Sequence, residues 1–255
     1  MQSGSEPIGI VEHEPGDLTC IVEGGLRLRE LQAALGAHEQ RFSLDPPGDP
    51  TLAECLLNDL SGPLRHRFGS MRDLVIGVEV VLTDGTRAHS GGKVVKNVAG
   101  YDLGKLYCGS RGRLGTAERL ALRLHPRPAS AQTVVTGAGR WADLHRSALV
   151  PSAVDVVDER MFVLFEGAEE AVAEQVSTLG GDPVDPWDEV RALQARLPGR
   201  RRWDGEQAPL VRPGPRVAYV AEPIERPWSA LAERVVQALC SPEALRNPEG
   251  PCNPS

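Results

Sequence analysis

The sequence predicts an α+β fold, because segments with the period of strands alternate with segments with the period of helices. The strand candidates are short runs of Val, Ile and Leu between turn signals, and the helix candidates are longer runs with leucines at helical spacing. With 255 residues, 41% hydrophobic and 25% charged, the chain is long enough for one large globular domain or two smaller ones.

The first elements are predicted to be two strands and a helix. Residues Gly9–Glu23 contain two apolar runs around the turn signal Glu14–Asp17. A helix follows over Leu26–Gln40, where the period changes, and Gly36 ends the pattern. The leucines at helical spacing are Leu28, Leu31 and Leu35.

A second helix is predicted directly after the irregular segment Asp45–Pro50, which reads DPPGDP. Thr51 and Glu54 have the spacing of a capping box at the start of this helix. The breaker sequence Ser61–Pro63 ends it. We expect Leu64–Arg72 to be a polar connection.

The clearest strand is predicted over Leu74–Thr83, which is rich in Val, Ile and Leu. Asp84 and Gly85 form a strong two-residue turn signal that leads into Thr86–Ser90. This pattern predicts a β-hairpin.

A glycine-rich stretch, Gly91–Gly115, follows the hairpin and reads GGKVVKNVAGYDLGKLYCGSRGRLG. Seven glycines in this stretch indicate tight turns or a place where the main chain comes close to a ligand, and a plain surface loop is the alternative. One helical turn is predicted at Asp102–Tyr107, and the chain leaves the stretch in a half-buried strand, Glu118–Leu124.

A domain boundary is predicted at Pro126–Pro128, after which the composition shifts to Ala, Glu, Val and Arg. The expected domains are 1–128 and 129–240, with an irregular tail at 241–255. The predicted strands of the second domain are Gln132–Thr136, Met161–Phe165 and Arg216–Val220, and its predicted helices are Trp141–Leu149, Ala168–Leu179, Asp188–Leu197 and Trp228–Leu239.

The composition argues against several classes of protein. A net charge of -7 disfavours a nucleic-acid partner, and the one basic run, Arg200–Arg202, is predicted to be a solvated loop. No stretch approaches the ~18 apolar residues of a membrane span, and the N-terminus lacks the pattern of a signal peptide. The five dispersed cysteines are expected to be reduced thiols. We therefore expect a cytoplasmic protein without a transmembrane segment.

The sequence contains none of the common local signatures of catalysis. Its six histidines are dispersed without HxH or HExxH pairing, so that no metal site is predicted. Walker A, GxGxxG and GxSxG motifs do not occur. No catalytic residue is predicted.

The segment Ser61–Gly77, SGPLRHRFGSMRDLVIG, contains the parts of an anion site. A glycine-bearing turn offers free N–H groups, Arg65 and Arg67 offer positive charge, and Ser70 offers a hydroxyl. The alternative is a solvent loop whose charged side chains only cap neighbouring elements.

The glycine-rich stretch offers a second group of candidate ligand residues. Lys96 and Asn97 are able to hydrogen-bond an oxygen-rich ligand, and the turn Gly109–Gly112 is able to present backbone amides. Asp102 is most simply a helix cap, and Tyr101 a packing residue with one hydrogen bond.

These two segments also resemble a known family. The elements KNVAGYDL and GSRGRLG are similar to the second half of the FAD-binding domain in vanillyl-alcohol-oxidase-like, PCMH-type flavoproteins, most of all to the FAD-binding E subunits of bacterial glycolate oxidases. SGPLRHRFGSMRDLVIG and GIVEHEPGDLT resemble the same family in the same order. The resemblance extends from about Gly9 to Pro128 and is weak beyond it.

The resemblance implies a PCMH-type domain with FAD as cofactor, followed by a small α+β cap domain. By position, the residues expected near the pyrophosphate and ribityl chain are Ser61, Gly62 and Arg65. Those expected to line the same channel are Gly69, Ser70 and Asp73, with Gly77 and Val78 near the adenosine. Those expected near the flavin are Gly109, Ser110, Gly112, Leu114 and Gly115, in a loop held by Lys96, Asn97, Tyr101 and Asp102.

The sequence departs from the family pattern at two places. Relatives open with a further subdomain whose glycine-rich loop wraps the pyrophosphate, and the chain begins just after that position, so that we expect an N-terminally truncated domain. Relatives also carry a glycine-rich turn where this chain has Thr51–Leu60. Its larger side chains, expected to be poor neighbours for a diphosphate, are Glu54, Cys55, Leu56 and Leu57.

The resemblance implies an FAD-binding subunit of a glycolate or other 2-hydroxy-acid oxidoreductase complex, in which the flavin mediates electron transfer. Its expected partners are a flavoprotein catalytic subunit and an iron–sulfur subunit. The alternative is a non-catalytic docking subunit that keeps the fold without FAD. A small-molecule binder that uses the remaining cleft is a third hypothesis.

Overall fold

In a computed structural model, the chain is described over residues 9–92 and 104–224. Within these ranges helices pack on antiparallel sheets, which confirms the α+β class predicted from the sequence. The predicted helix Trp228–Leu239 and the predicted tail 241–255 lie outside the described residues, as does the first part of the turn predicted at Asp102–Tyr107.

The first sheet has five antiparallel strands. They are β1 (Ile10–Glu14), β2 (Thr19–Glu23), β4 (Val75–Val81), β5 (Arg87–Gly91) and β6 (Thr116–Arg123). Their spatial order is β1-β2-β6-β4-β5. Strand β6 lies between the two hairpins and pairs with one strand of each. The predicted hairpin of β4 with β5 is confirmed, and the two strands predicted in Gly9–Glu23 are present as β1 and β2, which pair with each other.

This half has five helices within the described residues. They are α1 (Leu28–Gly36), α2 (Leu52–Leu57), α3 (Arg65–Phe68), α4 (Met71–Leu74) and α5 (Gly104–Tyr107). Helices α2, α4 and α5 pack on the first sheet, whereas α3 contacts the second. The predicted capping box of α2 is confirmed, since Thr51 Oγ1 accepts from the Glu54 N–H at 3.2 Å and the Glu54 carboxylate accepts from the Thr51 N–H at 2.7 Å. The predicted leucines of α1 are buried in the common core.

Two local predictions in this half are wrong. The predicted polar connection Leu64–Arg72 contains α3 and the start of α4, because buried apolar side chains at Leu64 and Met71 anchor it to the core. The turn of the second hairpin spans three residues, Thr83–Gly85, since Leu82 and Thr86 still share a backbone hydrogen bond of 2.8 Å.

The second sheet has seven antiparallel strands within the described residues. They are β8 (Ser130–Gly137), β9 (Ala153–Val157), β10 (Arg160–Gly167), β11 (Asp182–Pro183), β12 (Gly199–Arg202), β13 (Leu210–Arg212) and β14 (Val217–Val220). Their order is β11-β8-β10-β9-β13-β14-β12. Helices α6 (Trp141–Arg146) and α7 (Glu169–Leu179) pack on one face, and α8 (Trp187–Ala195) packs on the other.

Four strands of the second sheet, β9, β11, β12 and β13, were not predicted from the sequence. The basic run Arg200–Arg202 belongs to β12 and pairs with β14, so that the predicted solvated loop is wrong. An edge strand tolerates charged side chains because one of its sides faces solvent. β9 and β13 are short, and their pairing depends on neighbours distant in the sequence.

A buried ion pair joins a small two-stranded ladder of the first half to the second sheet. The ladder consists of β3 (Gln40–Arg41) and β7 (His125–Pro126), and the Arg41 guanidinium donates to both carboxylate oxygens of Glu166 on β10 at 2.6 and 2.7 Å. These two side chains are 17% and 7% exposed. The change from the first sheet to the second lies between β6 and β8, while the domain boundary at Pro126–Pro128 remains a prediction.

Candidate functional site

The predicted cofactor residues before β4 lie around one tight segment, Asn58–Leu64, which we call the site loop. Ser61 is only 2% exposed, and the Leu64 N–H donates to Asp45 Oδ1 at 3.0 Å. Gly62 lies directly against the main chain of Asp45, where a Cβ atom would overlap the carbonyl oxygen. The site loop is therefore pressed against Asp45 and has room only for glycine at position 62.

The site loop presents a set of hydrogen-bond donors. Arg65 donates to Ser61 Oγ at 3.1 Å and has no ion pair among the described residues. The backbone N–H groups of Ser61 and Gly62 also find no acceptor there. A guanidinium without a counterion and two neighbouring amides without acceptors among the described residues fit an anionic group such as a diphosphate, because buried donors need a partner.

Gly69, Ser70 and Asp73 form a unit that starts α4. The Ser70 N–H donates to Asp73 Oδ2 at 2.8 Å, which completes a capping box. A Cβ atom on Gly69 would collide with the Asp73 side chain. The structure thus gives these three predicted site residues a local structural role.

Gly77 and Val78 have different surroundings although they are neighbours on β4. The Val78 side chain is buried in the core, whereas Gly77 lies on the other face of the sheet, next to Gly92 and Ala121. A shallow depression of about 170 Å³ lies on this face, and Gly77 is part of its floor. The other residues that line it include Ile21, Glu79, His89, Arg119 and Ala121.

The turn Gly109–Gly112 packs against the end of α2. The Gly109 N–H donates to Leu56 O at 3.0 Å, and the Arg111 N–H donates to Leu57 O at 2.8 Å. The Ser110 N–H donates to Tyr107 O at 3.1 Å. These amides therefore hold the turn in place, while the buried Ser110 Oγ has no hydrogen-bond partner among the described residues.

The end of the glycine-rich stretch serves the packing of the first sheet. Leu114 is buried in the core, and Gly115, with φ +126°, lies against the Val81 carbonyl. Gly112 has open space around it. The remaining predicted site residues, which are Lys96, Asn97, Tyr101 and Asp102, lie outside the described residues.

The large side chains of α2 have different degrees of burial. Cys55 and Leu56 are fully buried in the core of the first half, and Leu57 is half-buried. Glu54 is exposed, and its hydrogen bonds from Thr51 lower the pKa of its carboxyl. This carboxylate caps the helix.

A buried polar network on the second sheet reaches the site loop and was not predicted. Arg212 and Asp155 are fully buried, and the guanidinium donates to the carboxylate through Nε at 3.0 Å and Nη2 at 3.1 Å. Gln194 of α8 bridges Arg212 to Ser61. No spacing pattern reveals this network, because its members lie on β9, β13 and α8.

Asp45 lies within electrostatic range of this network, and its environment makes stability depend on pH. Burial raises the pKa of Asp45 to about 7, although the charges of Arg212 and Arg191 oppose the rise. The Arg191 guanidinium lies 3.6 Å from Asp45 Oδ2, and the Asp45 side chain is 20% exposed. At neutral pH the native state therefore binds a proton that the unfolded state has released.

We predict that Asp45→Asn gains stability relative to the wild type as the pH rises from 5 to 8. In this window the native state of the wild type holds more protons than its unfolded state, so that its stability falls with rising pH until the pKa of about 7 is passed. We expect the difference to grow by about 1–2 kcal/mol, since the side chain remains partly solvated. Urea unfolding of both proteins at several pH values measures it, and a constant difference would contradict the prediction.

The described residues offer neither a metal site nor a membrane span. No group of three or more His, Cys, Asp or Glu side chains in residues 9–92 and 104–224 is arranged to hold a metal ion. No helix in these ranges combines the length and apolarity that crossing a membrane requires.

Comparisons with known proteins give a consistent family. The FAD binding domain family matches residues 7–91. Glycolate oxidase subunit GlcE of Escherichia coli is 31% identical over 208 residues, which are 75% of this chain and 59% of that protein. Glycolate oxidase subunit GlcD of Bacillus subtilis is 31% identical over 170 residues, which are 62% of this chain and 35% of that protein.

Two further proteins are similar to this chain. The mitochondrial D-lactate dehydrogenase [cytochrome] 1 of Saccharomyces cerevisiae is 29% identical over 167 residues, covering 63% of this chain and 28% of that protein. A solved structure of alkyldihydroxyacetonephosphate synthase shares the fold, with a TM-score of 0.58 at 17% identity over 72% of this chain and 44% of that one. The chain spans less than two thirds of the length of these relatives.

The match to the FAD binding domain confirms FAD as the cofactor of this domain family, as the sequence motifs predicted. The donors of the site loop lie within residues 7–91, inside the matched region. Residues 7–91 therefore match an FAD binding domain, and three quarters of the chain is similar to a glycolate oxidase subunit.

Proposed function

We propose that the chain is the FAD-binding subunit of a 2-hydroxy-acid oxidoreductase complex of the glycolate oxidase type. The observation that carries the proposal is the donor set of the site loop, placed within a match to an FAD binding domain. The names of the relatives, glycolate oxidase subunits and D-lactate dehydrogenases, support a substrate of the 2-hydroxy-acid class.

In this proposal the site loop holds the diphosphate of FAD. Arg65 neutralises part of its charge, and the N–H groups of Ser61 and Gly62 donate to its oxygens. The Ser61 hydroxyl, which accepts from Arg65 at 3.1 Å, keeps the guanidinium over the loop. Bound FAD supplies the redox chemistry of electron transfer. No general acid or base is assigned among the described residues.

The partners belong to the proposal as well. We propose a flavoprotein catalytic subunit and an iron–sulfur subunit in one cytoplasmic complex. Two relatives are named as subunits of glycolate oxidase, which supports an assembly of several chains.

Arg65→Ala is expected to weaken FAD binding by about 10- to 100-fold, because one charge-assisted hydrogen bond contributes about 1.5–3 kcal/mol. Isothermal titration of the purified protein with FAD measures the effect, and visible flavin absorption reports the cofactor retained on purification. Arg67→Ala is the matched control, since it removes the same charge from an exposed side chain of the same helix that donates to Ser152 Oγ at 3.3 Å and not to the site loop, and we expect less than about a threefold change.

Two outcomes would reject the proposal. A wild-type protein without flavin absorption and without calorimetric binding of FAD would exclude an FAD-binding subunit. Equal effects of the two substitutions would show that the site loop does not hold the diphosphate.

A second function is favoured by the internal contacts of the glycine-rich turns. The N–H groups of Gly109 and Arg111 donate to α2, and Gly69 and Gly115 pack against their own chain, so that the fold itself accounts for them. A non-catalytic docking subunit that keeps the fold without FAD would have the same contacts. It predicts that Arg65→Ala leaves the activity of the assembled complex unchanged, whereas the first proposal predicts a loss.

A further inference from the structure

One side chain of the second sheet domain holds the main chain of the site loop. Gln194 on α8 donates from Nε2 to the carbonyl oxygen of Ser61 at 2.8 Å. Its Oε1 accepts from Arg212 Nη2 at 2.7 Å. The carboxamide therefore fills the space between a buried cation and a peptide group of the candidate cofactor site.

The orientation of the Gln194 carboxamide is fixed by the chemistry of its neighbours. A guanidinium is only a donor, so that the oxygen of the carboxamide has to face Arg212. Its NH₂ group consequently faces the Ser61 carbonyl, which is only an acceptor. A rotation of the amide by half a turn would break both hydrogen bonds at once.

Arg212 is itself rigidly anchored. Its guanidinium is fully buried, donates to both oxygens of Asp155, and donates from Nη1 to the Tyr219 hydroxyl at 2.6 Å. Burial opposes a charge on Arg212, but the neighbouring Asp155 carboxylate outweighs it and raises the pKa of the guanidinium. Gln194 thus connects the site loop by hydrogen bonds to a charged group that is itself held by Asp155 and Tyr219.

The hydrogen bond to Ser61 determines where the next amide points. The Ser61 carbonyl and the Gly62 N–H belong to one planar peptide group, and the described residues contain no cis peptide. In a trans peptide these two groups point in opposite directions. A carbonyl held toward α8 therefore directs the Gly62 N–H away from α8, where it finds no acceptor among the described residues.

Another side chain of the second half, Arg200, holds the start of the site loop. Arg200 of β12 donates from Nη1 to the Asp59 carbonyl at 3.0 Å and from Nη2 to Asp59 Oδ2 at 3.3 Å. Two residues of the second half, one on a helix and one on a strand, thus hold the main-chain carbonyls of Asp59 and Ser61. Such double support fixes a loop to the precision that a binding site needs.

We infer that Gln194 is a positioning residue that orients the Gly62 N–H toward the anionic part of the cofactor. This inference rests on the proposed function, because it assigns that N–H to the FAD diphosphate. It gives the second half of the chain an indirect part in cofactor binding, since none of its residues touches the diphosphate in this assignment.

Gln194→Glu tests the inference with a side chain of the same shape. The glutamate keeps an acceptor for Arg212 but loses the donor to Ser61, and it places a carboxylate against the Ser61 carbonyl. We expect the Kd for FAD to rise at least tenfold, as for loss of a buried hydrogen bond, and deuterium exchange of peptides covering residues 58–64 to become faster. The new ion pair with Arg212 is expected to keep the midpoint of thermal unfolding within a few degrees of the wild type.

Gln207→Glu is the matched control, since it makes the same change of charge at an exposed position of the second half, and it should alter neither measurement. Gln194→Met, which removes the amide without adding charge, replaces Gln194→Glu if that variant does not fold. Unchanged FAD affinity and unchanged exchange would overturn the inference, as would a loss of affinity with unchanged exchange. If the wild type itself binds no FAD, the proposed function fails, and the exchange data alone decide whether Gln194 holds the loop.

Discussion

Replacing Arg212 by methionine is expected to destabilise the protein by about 3–5 kcal/mol, because the substitution leaves a buried carboxylate without its partner. Asp155 is fully buried and receives its ionic hydrogen bonds from Arg212. The Tyr219 hydroxyl and the Gln194 oxygen would lose a donor as well. The free energy of unfolding from urea titration measures the effect.

The double variant Asp155→Leu with Arg212→Met is the informative control. Replacing a whole buried ion pair by apolar side chains is often neutral in stability, whereas breaking one is costly. We therefore expect the double variant to recover most of the stability that the single variant loses. A single variant that costs less than about 1 kcal/mol would show that Asp155 is not ionised in the native protein.

Gly115→Ala is expected to destabilise the protein by about 2–4 kcal/mol. Its φ of +126° is unfavourable for any residue with a side chain, and a Cβ atom would meet the Val81 carbonyl and lie 2.8 Å from Leu82 Cα. Both contacts are with the main chain of the segment that ends β4, which is unable to move without disturbing the first sheet. Urea unfolding provides the measurement.

Gly112→Ala is the matched control within the same sequence motif. Gly112 has a positive φ of +75° but open space around it, so that only the backbone strain of about 1–2 kcal/mol applies. The difference between the two variants isolates the steric overlap at Gly115. Equal losses of stability would contradict the packing described here.

The first half of the fold follows closely from local signals in the sequence. The hairpins, the leucine spacing of α1 and the Thr51–Glu54 capping box are patterns within a few residues, and each is found in the structure. The second half was predicted less completely. β12 and β13 have four and three residues, and partners across the sheet decide their pairing.

In the candidate site, too, residues of a contiguous motif were predicted and residues far apart in the sequence were not. Ser61, Gly62 and Arg65 were predicted by resemblance, because their motif is contiguous. Gln194 was not predicted, since a glutamine in an amphipathic helix has the appearance of a surface residue, and its partner Ser61 lies 133 residues away. Asp155 and Arg212 are 57 residues apart, and no pattern in the sequence indicates that both are buried.

Side-chain contacts between the two halves of the chain limit how the halves can be exchanged among relatives. The carboxylate of Glu166 and the carboxamide of Gln194 lie in the second half, and their partners Arg41 and Ser61 lie in the first. A chimera that took residues 129–224 from another protein would have to supply an acid at position 166, or Arg41 would be left buried without a counterion. The two halves are therefore expected to be inherited together, with compensating changes appearing in pairs across this junction.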